Sequence, residues 1–327
     1  MIRALRKEDA AAVARLVLAV NPHQVVTPAV IWHASTCLPE RAKRRDWIAE
    51  ADGEVVGHAH AGFEWSVATP GKGRFWVGVL PGRRGGGIGG DLYARVESYL
   101  AGEGAWRLRT WVDGDPAAER FLERRGFERR GGDRVSAVDP RAVDLTELAR
   151  READGLRLAA LGDVRDRVEE LYEVCNSGQR DMPTEERNTE IDLETWKRET
   201  LEHPSLSEEG SFVARAGEEV VSVALLTVDV ERRLAYNHMT ATLPEFRRRG
   251  LALLVKLAAA RWAAAEGIER LLTENGLDNA GMLAINDRLG YRPLYDQGHW
   301  FCMPRGRTKP RHYNRGPGPG VRRLERR

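Results

Sequence analysis

Two ten-residue stretches of the chain share one pattern: PGRRGGGIGG at residues 81–90 and PEFRRRGLAL at residues 244–253. In both, an arginine comes three positions after the proline, and a glycine comes three positions after that arginine. The residues before each stretch are predicted to form a strand, and those after it a helix. A glycine loop that leads from a strand into a helix presents free backbone N–H groups and the positive end of the helix dipole. The pattern therefore predicts a phosphate-binding loop in each half of the chain.

Neither of the common nucleotide-binding motifs fits these loops. A Walker loop is excluded because no Gly-Lys-Ser/Thr follows, and the glycine spacing differs from that of dinucleotide-binding βαβ units. One glycine loop alone would be explained equally well by a surface turn. Two copies between the same predicted elements favour phosphate binding.

Further landmarks repeat at nearly the same distance along the chain. Gly126-Phe127 and Gly290-Tyr291 each follow a predicted helix, and Trp47-Ile48-Ala49 matches Phe212-Val213-Ala214. The loops, the glycine–aromatic pairs and these apolar triplets are offset by 163, 164 and 165 residues. Solenoid repeats are far shorter, so the period indicates duplicated domains.

Each half has the same order of predicted elements: a helix, a β-hairpin, a strand, a helix, a strand and a helix. In the first half these are residues 10–20, 47–61, 75–79, 91–100, 107–112 and 117–125. In the second half they are residues 164–174, 212–227, 234–242, 253–265, 270–274 and 280–289. We therefore predict an α+β protein with domains at 1–140 and 155–304, a linker at 141–154 and a tail at 305–327.

Composition and charge narrow the class of protein. Apolar residues make up 42% of the chain, enough for two cores, and no run of about 18 apolar residues predicts a membrane span. Three scattered cysteines predict neither a disulfide framework nor a metal site. The tail has nine Lys/Arg and one Glu, and its Gly and Pro content predicts disorder. We expect a cytoplasmic protein without a membrane or nucleic-acid partner, since Tyr313 is the tail's one aromatic residue.

The loop pattern, a strand followed by Pro-x-x-Arg-x-x-Gly-x-Gly/Ala and a helix, resembles the acyl-CoA pyrophosphate loop of the GNAT acetyltransferase superfamily. The segment from Asn279 to Tyr291 is similar to that family's second signature, an asparagine-led helix that ends in Leu-Gly-aromatic. The resemblance covers nearly the whole chain, to about Pro304. The tandem arrangement is similar to mycothiol synthases and to paired GNAT proteins of antibiotic gene clusters. It implies two domains, each a mixed, mostly antiparallel sheet flanked by helices.

The resemblance implies that acetyl-CoA binds along the strand before each loop. The pantetheine would lie along Thr240, Ala241 and Thr242 in the second half, or along Val77, Gly78 and Val79 in the first. The pyrophosphate would contact Arg247, Arg248, Arg249, Gly250, Leu251, Ala252 and Leu253, or Arg84, Gly85, Gly86, Gly87, Ile88, Gly89 and Gly90. Asn279 matches the family asparagine that binds the pantetheine arm, and Asn275 and Asn286 complete the expected cofactor-binding set.

The resemblance also implies direct attack of an amine on the thioester, which needs a base, an oxyanion donor and a proton for the thiolate. Glu274 lies five residues before Asn279, where some family members carry a glutamate base. Tyr236 takes the position of the glutamate in histone acetyltransferases, and His238 is an alternative base expected on the same strand face. The N–H of Thr242 is the expected oxyanion donor. A solvated rim carboxylate, a packed histidine and a pocket wall are the ordinary alternatives for these side chains.

Both halves depart from the family pattern. The usual acid is a tyrosine four residues before the final glycine, and Asn286 and Leu122 take that position here. The first half differs at three more positions: Asp115 for Asn279, Thr110 for Glu274 and Gly73 for Tyr236. We therefore expect catalysis mainly in the second half. In the first half, His58 and His60 are either an alternative base or polar filling of an inner face.

The acceptor is the least defined part of the prediction. Six acidic residues fall in the region that lines the acceptor pocket in this family: Asp181, Glu185, Glu186, Glu190, Asp192 and Glu194. The negative charge of these residues would favour a cationic amine, although a solvated helix face is the more ordinary explanation for such a run of acidic residues. The expected function is acetyl-CoA-dependent N-acetylation of a small-molecule primary amine. The alternatives are a non-catalytic acyl-CoA-binding or regulatory protein, favoured by the missing acid, and a nucleic-acid-associated protein that uses the tail.

Overall fold

The computed structural model describes residues 1–182 and 188–304. Two parts of the sequence analysis lie outside these ranges: Glu185 and Glu186 of the acidic set, and the tail at 305–327. Among the helices that are described, none combines the length and the hydropathy needed to cross a membrane.

The described residues form one continuous sheet of twelve strands. In chain order the strands are β1 (Ile2–Ala4), β2 (Arg45–Ala51), β3 (Glu54–Phe63), β4 (Lys72–Val79), β5 (Arg107–Val112), β6 (Glu128–Val138), β7 (Leu158–Ala160), β8 (Leu206–Ala216), β9 (Glu219–Asp229), β10 (Leu234–Thr242), β11 (Arg270–Gly276) and β12 (Arg292–Cys302). Neighbouring strands are antiparallel except β4 with β5 and β10 with β11, which are parallel. The predicted α+β class with a mixed, mostly antiparallel sheet is confirmed.

Helices cover the sheet and lead into and out of its strands. They are α1 (Ala10–Val20), α2 (Pro28–Thr36), α3 (Ile88–Gly102), α4 (Pro116–Glu123), α5 (Thr146–Ala153), α6 (Val168–Arg180), α7 (Leu193–Trp196), α8 (Leu251–Ala265) and α9 (Ala280–Arg288). The helices α3 and α8 begin directly after Gly87 and Gly250, as the loop pattern predicts.

The two halves exchange their last strands. The order across the sheet is β1-β2-β3-β4-β5-β12-β6-β11-β10-β9-β8-β7, so β12 pairs with β5 of the first half and β6 pairs with β11 of the second. Trp300 on β12 is buried in the first core, and Val138 on β6 is buried in the second. The domain limits 1–140 and 155–304 remain a proposal. Each of these segments has its part of the sheet completed by the last strand of the other segment.

The segment proposed as a linker, 141–154, packs on the second half. Leu148 of α5 is fully buried in a cluster with Leu254 and Leu257 of α8. Glu152 forms an ion pair with Arg261, also on α8, at 2.9 Å. The segment therefore contributes apolar side chains to a core as well as connecting the halves.

The two parallel strand pairs separate before they reach the loops. β10 pairs with β11 from Leu234 to Asn237, and β4 pairs with β5 from Lys72 to Arg74. Beyond those residues β10 continues beside β9 alone, and β4 continues beside β3 alone. An opening between parallel strands therefore precedes each glycine loop.

A lysine lies in the core of the second half. Lys256 on α8 is 2% exposed, and its Nζ has no hydrogen-bond partner among the described residues. The Nζ lies 5.2 Å from the centre of the Tyr291 ring. Burial lowers the pKa of Lys256 to about 7, because a charged ammonium is poorly solvated there.

Replacing Lys256 by methionine should raise the free energy of unfolding by about 2–4 kcal/mol at neutral pH, because methionine has no polar group to desolvate. Since the folded-state pKa of Lys256, about 7, lies below its ordinary value of 10.5, the unfolded chain binds the extra proton between these values. Wild-type stability should therefore rise with pH in that range, and the advantage of Lys256→Met should shrink. Urea titrations at neutral and alkaline pH measure this, and a variant less stable than wild type at both contradicts it.

Candidate functional site

The two glycine loops have the same backbone conformation. Gly85 and Gly87 have φ values of 86° and 88°, and the equivalent Arg248 and Gly250 have values of 62° and 81°. A left-handed conformation costs a non-glycine residue about 1–2 kcal/mol, so Arg248 holds a strained geometry. A Cβ added at Gly87 or Gly250 would meet no described atom within 4 Å. Both loops are therefore open on the side that precedes the helix N-terminus.

In each loop, the arginine three positions after the proline is hydrogen-bonded to the strand before it. The Nε of Arg84 donates to the carbonyl of Val79 at 3.2 Å, and the Nε of Arg247 donates to that of Thr242 at 3.0 Å. Each guanidinium also pairs with a carboxylate: Arg84 with Asp115 at 2.8 Å, and Arg247 with Asp181 at 2.6 Å. These side chains therefore fix the loops, and they leave the backbone N–H groups and the exposed Arg248 for an anion.

The expected asparagines lie at the other side of the opening. The side-chain oxygen of Asn279 accepts a hydrogen bond from the N–H of Met282 at 3.2 Å and caps α9. Asp115 caps α4 in the same way in the first half. Asn286 is buried, and its amide donates to Asn275 at 2.7 Å. Asn286, which the sequence analysis matches to the acid position, is thus buried and hydrogen-bonded inside the fold.

Glu274 lies near the end of β11, beside the opening from β10. The hydroxyl of Tyr236 donates to its Oε2 at 3.2 Å. Burial, and next the carboxylate of Asp133, raise the pKa of Glu274 to about 7. Burial and the charge of Glu274 raise the pKa of Tyr236 well above its ordinary value, so this hydroxyl stays protonated. The site thus holds a carboxylate that exchanges a proton near neutral pH.

The exchanged strands β6 and β12 bring two further polar residues, Asp133 and His299, close to Glu274. Asp133 lies on β6, opposite Gly276 of β11, and His299 lies on β12. The Nε2 of His299 and the Oδ2 of Asp133 are 2.6 Å apart. Sequence reasoning missed both residues, because it predicted no strand at either position and no exchange that would bring them to Glu274.

Glu274, Asp133 and His299 line a cavity of about 300 Å³ that lies where strands of the first half meet strands of the second. It is lined by Gln24, Glu64, Arg74, Arg109, Trp111, Asp133, Glu274, Gln297 and His299. The predicted acidic set does not line it where the structure describes that set. Asp181 pairs with Arg247, Glu190 accepts from the Tyr172 hydroxyl, and Asp192 caps α7.

His238 does not share the environment of Tyr236. It is the extra residue of a β-bulge where β10 shifts register against β9, and the bulge interrupts the alternation on which a shared face was predicted. Its ring stacks on that of His203, with centroids 6.2 Å apart. His238 is exposed, and desolvation by the atoms around its ring lowers its pKa. Thr242 is buried at the end of β10, where its hydroxyl bonds that of Ser222 at 2.8 Å.

The first half has no carboxylate at the position of Glu274. Thr110 is buried on the core face of β5 with Leu108 and Val112, and Trp111 is the residue that faces the cavity as Glu274 does. Gly73 likewise faces Leu100 and Leu108 of the core, and Arg74 faces the cavity, so the predicted matches of Thr110 to Glu274 and of Gly73 to Tyr236 are each one residue out of register. The hairpin histidines are packed: His58 is buried 3.3 Å from Asp46, and His60 stacks on Trp76. Desolvation lowers the pKa of His60 well below its ordinary value.

Comparison with known proteins shows the family to which the chain belongs. The GNAT acetyltransferase family model matches residues 21–127 and 166–291. The mycothiol acetyltransferase of Amycolatopsis mediterranei is 26% identical over 258 residues, which cover 75% of this chain and 79% of the relative. That of Streptomyces griseus is 28% identical over 251 residues, which cover 76% of each chain.

Solved structures share the whole architecture. A tandem GNAT protein from the clavulanic acid biosynthesis pathway superposes with a TM-score of 0.68 at 18% identity, covering 92% of this chain and 98% of that one. A GCN5-related N-acetyltransferase from Sphaerobacter thermophilus superposes with a TM-score of 0.63 at 17% identity, covering 92% and 95%. The chain therefore belongs to the GNAT acetyltransferase family, as a tandem of two GNAT units, and is an acyltransferase.

Proposed function

We propose that this protein transfers the acetyl group of acetyl-CoA to the primary amine of a small molecule, mainly in its second half. The observation that carries the proposal is Glu274. Its pKa of about 7 suits a general base that works near neutral pH, and it accepts a hydrogen bond from the Tyr236 hydroxyl. It also lines a cavity beside the opening between β10 and β11 and the second glycine loop. Trp111, which faces the same cavity from β5 of the first half, provides no such group.

The proposed acetyl-CoA site uses the opening between β10 and β11. Thr240, Ala241 and Thr242 lie beyond the last paired residue, so an extended pantetheine can add along them as a strand does. The N–H groups of residues 248–253 would bind the pyrophosphate at the start of α8. Asn275, Asn279 and Asn286 border the same opening on the side of β11 and α9. Val77, Gly78, Val79 and the loop at 84–90 form the equivalent site of the first half.

The proposed chemistry needs two proton transfers. Glu274 takes one proton from the ammonium, and the neutral nitrogen attacks the thioester carbon while the N–H of Thr242 stabilises the oxyanion. The C–S bond then breaks, and the second proton of the nitrogen goes to the thiolate. Asn286 cannot supply that proton as an acid, because an amide has none to give at neutral pH.

The competing function is binding of acyl-CoA without turnover. Asn286 and Leu122 favour it, since neither replaces the family tyrosine as an acid. Incubation of the full chain with acetyl-CoA and a panel of primary amines separates the two functions. Release of free CoA thiol together with a product 42 mass units heavier supports the transferase; acetyl-CoA binding without either signal supports the alternative.

The same assay tests the division between the halves. Gly87→Asp places a carboxylate against the proposed phosphate position of the first half. It should leave most of the acetylation rate in place, because the first half has Trp111 and Arg74 facing the cavity where the second half has Glu274 and Tyr236. Gly87→Asn is the control for backbone strain. Loss of turnover in Gly87→Asp alone, with fold and second-site binding intact, would show that the first half catalyses the reaction.

A further inference from the structure

The cavity beside Glu274 contains two arginines on neighbouring strands. Arg74 on β4 lies directly opposite Arg109 on β5, and both line the cavity. Like charges placed opposite each other in a sheet destabilise it. Solvent or a nearby negative charge therefore offsets the repulsion within the pair.

The available carboxylates neutralise only one of the two. Arg109 forms an ion pair with Glu64 at 3.0 Å. Arg74 forms no ion pair or hydrogen bond with the residues that the structure describes, and its guanidinium lies 5.8 Å from the centre of the Trp111 ring. The charges of Glu64 and Glu199 act on Arg74 from a distance, without an ion pair. Arg74 is thus an exposed, solvated cation in the cavity wall that pairs with no described carboxylate.

The opposite wall of the cavity has the reverse character. It contains Glu274 on β11 and Asp133 on β6, and Asp133 contacts His299 on β12. From β4 to β11 the sheet crosses four strand spacings, about 19 Å between backbones. The side chains of Arg74 and Glu274 both line the cavity, so their charged groups are closer together than their backbones. One molecule with an amine at one end and an anion at the other matches these two walls.

We propose that Arg74 is a specificity-determining residue that binds a carboxylate or phosphate of the acceptor while the acceptor's amine lies at Glu274. This inference rests on the proposed transferase function and narrows its substrate class to amines that carry an anionic group. A guanidinium binds either anion through two parallel N–H···O bonds, and Trp111 holds it in place by contact with its face.

The test compares acceptors that differ only in the anion. γ-Aminobutyrate, ε-aminocaproate and ω-aminocaprylate are each assayed with acetyl-CoA beside their carboxamides, and phosphoethanolamine is assayed beside ethanolamine. Wild type should use at least one anionic member with a lower KM than its neutral partner. Arg74→Met should raise that KM about 10- to 100-fold while leaving kcat and the KM of the neutral partner nearly unchanged. Arg74→Lys should recover part of the loss, and Arg15→Met, at an exposed position of α1, should have no effect.

A binding measurement keeps this inference separate from the proposed function. The N-acetylated products of the same pairs are titrated into wild type and Arg74→Met by calorimetry, which requires no turnover. Preferential binding of an anionic product that Arg74→Met abolishes supports the site, even if no amine is acetylated and the transferase proposal fails. Equal binding of every anionic and neutral pair, or an equal loss for both in Arg74→Met, would overturn the assignment of Arg74 whether or not acetylation occurs.

Discussion

Glu274→Gln should lower turnover in the second half by about 100- to 1,000-fold, the usual contribution of a general base, and leave the affinity for acetyl-CoA nearly unchanged. Glutamine keeps the shape of the side chain and can still accept from the Tyr236 hydroxyl, which lies 3.2 Å from Oε2. It cannot take a proton from an ammonium. Steady-state rates with a saturating amine, together with calorimetry of acetyl-CoA, separate the chemical step from binding.

The pH dependence follows from the environment of Glu274. Burial and the Asp133 carboxylate raise the pKa of Glu274 to about 7, so the basic form becomes populated as pH rises through that value. The kcat/KM of wild type should fall as pH drops below about 7, and this acidic limb should be absent in Glu274→Gln. The hydrogen bond from Tyr236 lowers the pKa of Glu274, so Tyr236→Phe should move the limb to higher pH. Asp133→Asn removes a negative neighbour and should move it to lower pH.

His238→Gln provides the matched comparison. His238 lies on a bulge against His203, apart from the contact between Tyr236 and Glu274, so its replacement should preserve both turnover and the acidic limb. A Glu274→Gln enzyme with wild-type turnover and an unaltered limb would remove Glu274 from the mechanism. Loss of activity in His238→Gln alone would make His238 the base.

Much of the fold could be predicted from local sequence signals. The apolar spacing of residues 10–20 gives α1 with the predicted bounds, and Asp52-Gly53 forms the predicted hairpin turn with φ values of 54° and 76°. These elements are set by residues close in sequence. The loops belong to the same class, because Gly87 and Gly250 are required by backbone geometry that nearby residues dictate.

The strand exchange could not be predicted in this way. β6 contains Gly131, Gly132 and several charged residues, and β12 contains Pro293 and Gly298, so neither has the alternation typical of a strand. Each becomes a strand because it lies between two others in the assembled sheet. The residues they bring to the site, Asp133 and His299, therefore have no local signal. Glu274 could be proposed from its distance to Asn279, but its cavity could not.

The exchange also decides how cofactor binding must be measured. A fragment that begins at Gly155 would lack β6, the strand that pairs with β11 along Leu271–Gly276. Glu274 would then lie on an unpaired edge, and the fragment would not reproduce the site. Binding to the second loop is therefore measured on the full chain, with Gly87→Asp present to remove the proposed first site.

In that background, Gly250→Asp should weaken acetyl-CoA binding by about 100-fold or more, since a carboxylate replaces open space at the N-terminus of α8 and repels the pyrophosphate. Gly250→Asn is the matched control: it has the same shape and the same cost of a left-handed φ, near 81°, but no charge. A large loss in the aspartate variant and a small one in the asparagine variant would assign the effect to charge at the phosphate position. Equal losses would indicate backbone strain, and equal affinity in all three proteins would exclude this loop as the pyrophosphate site.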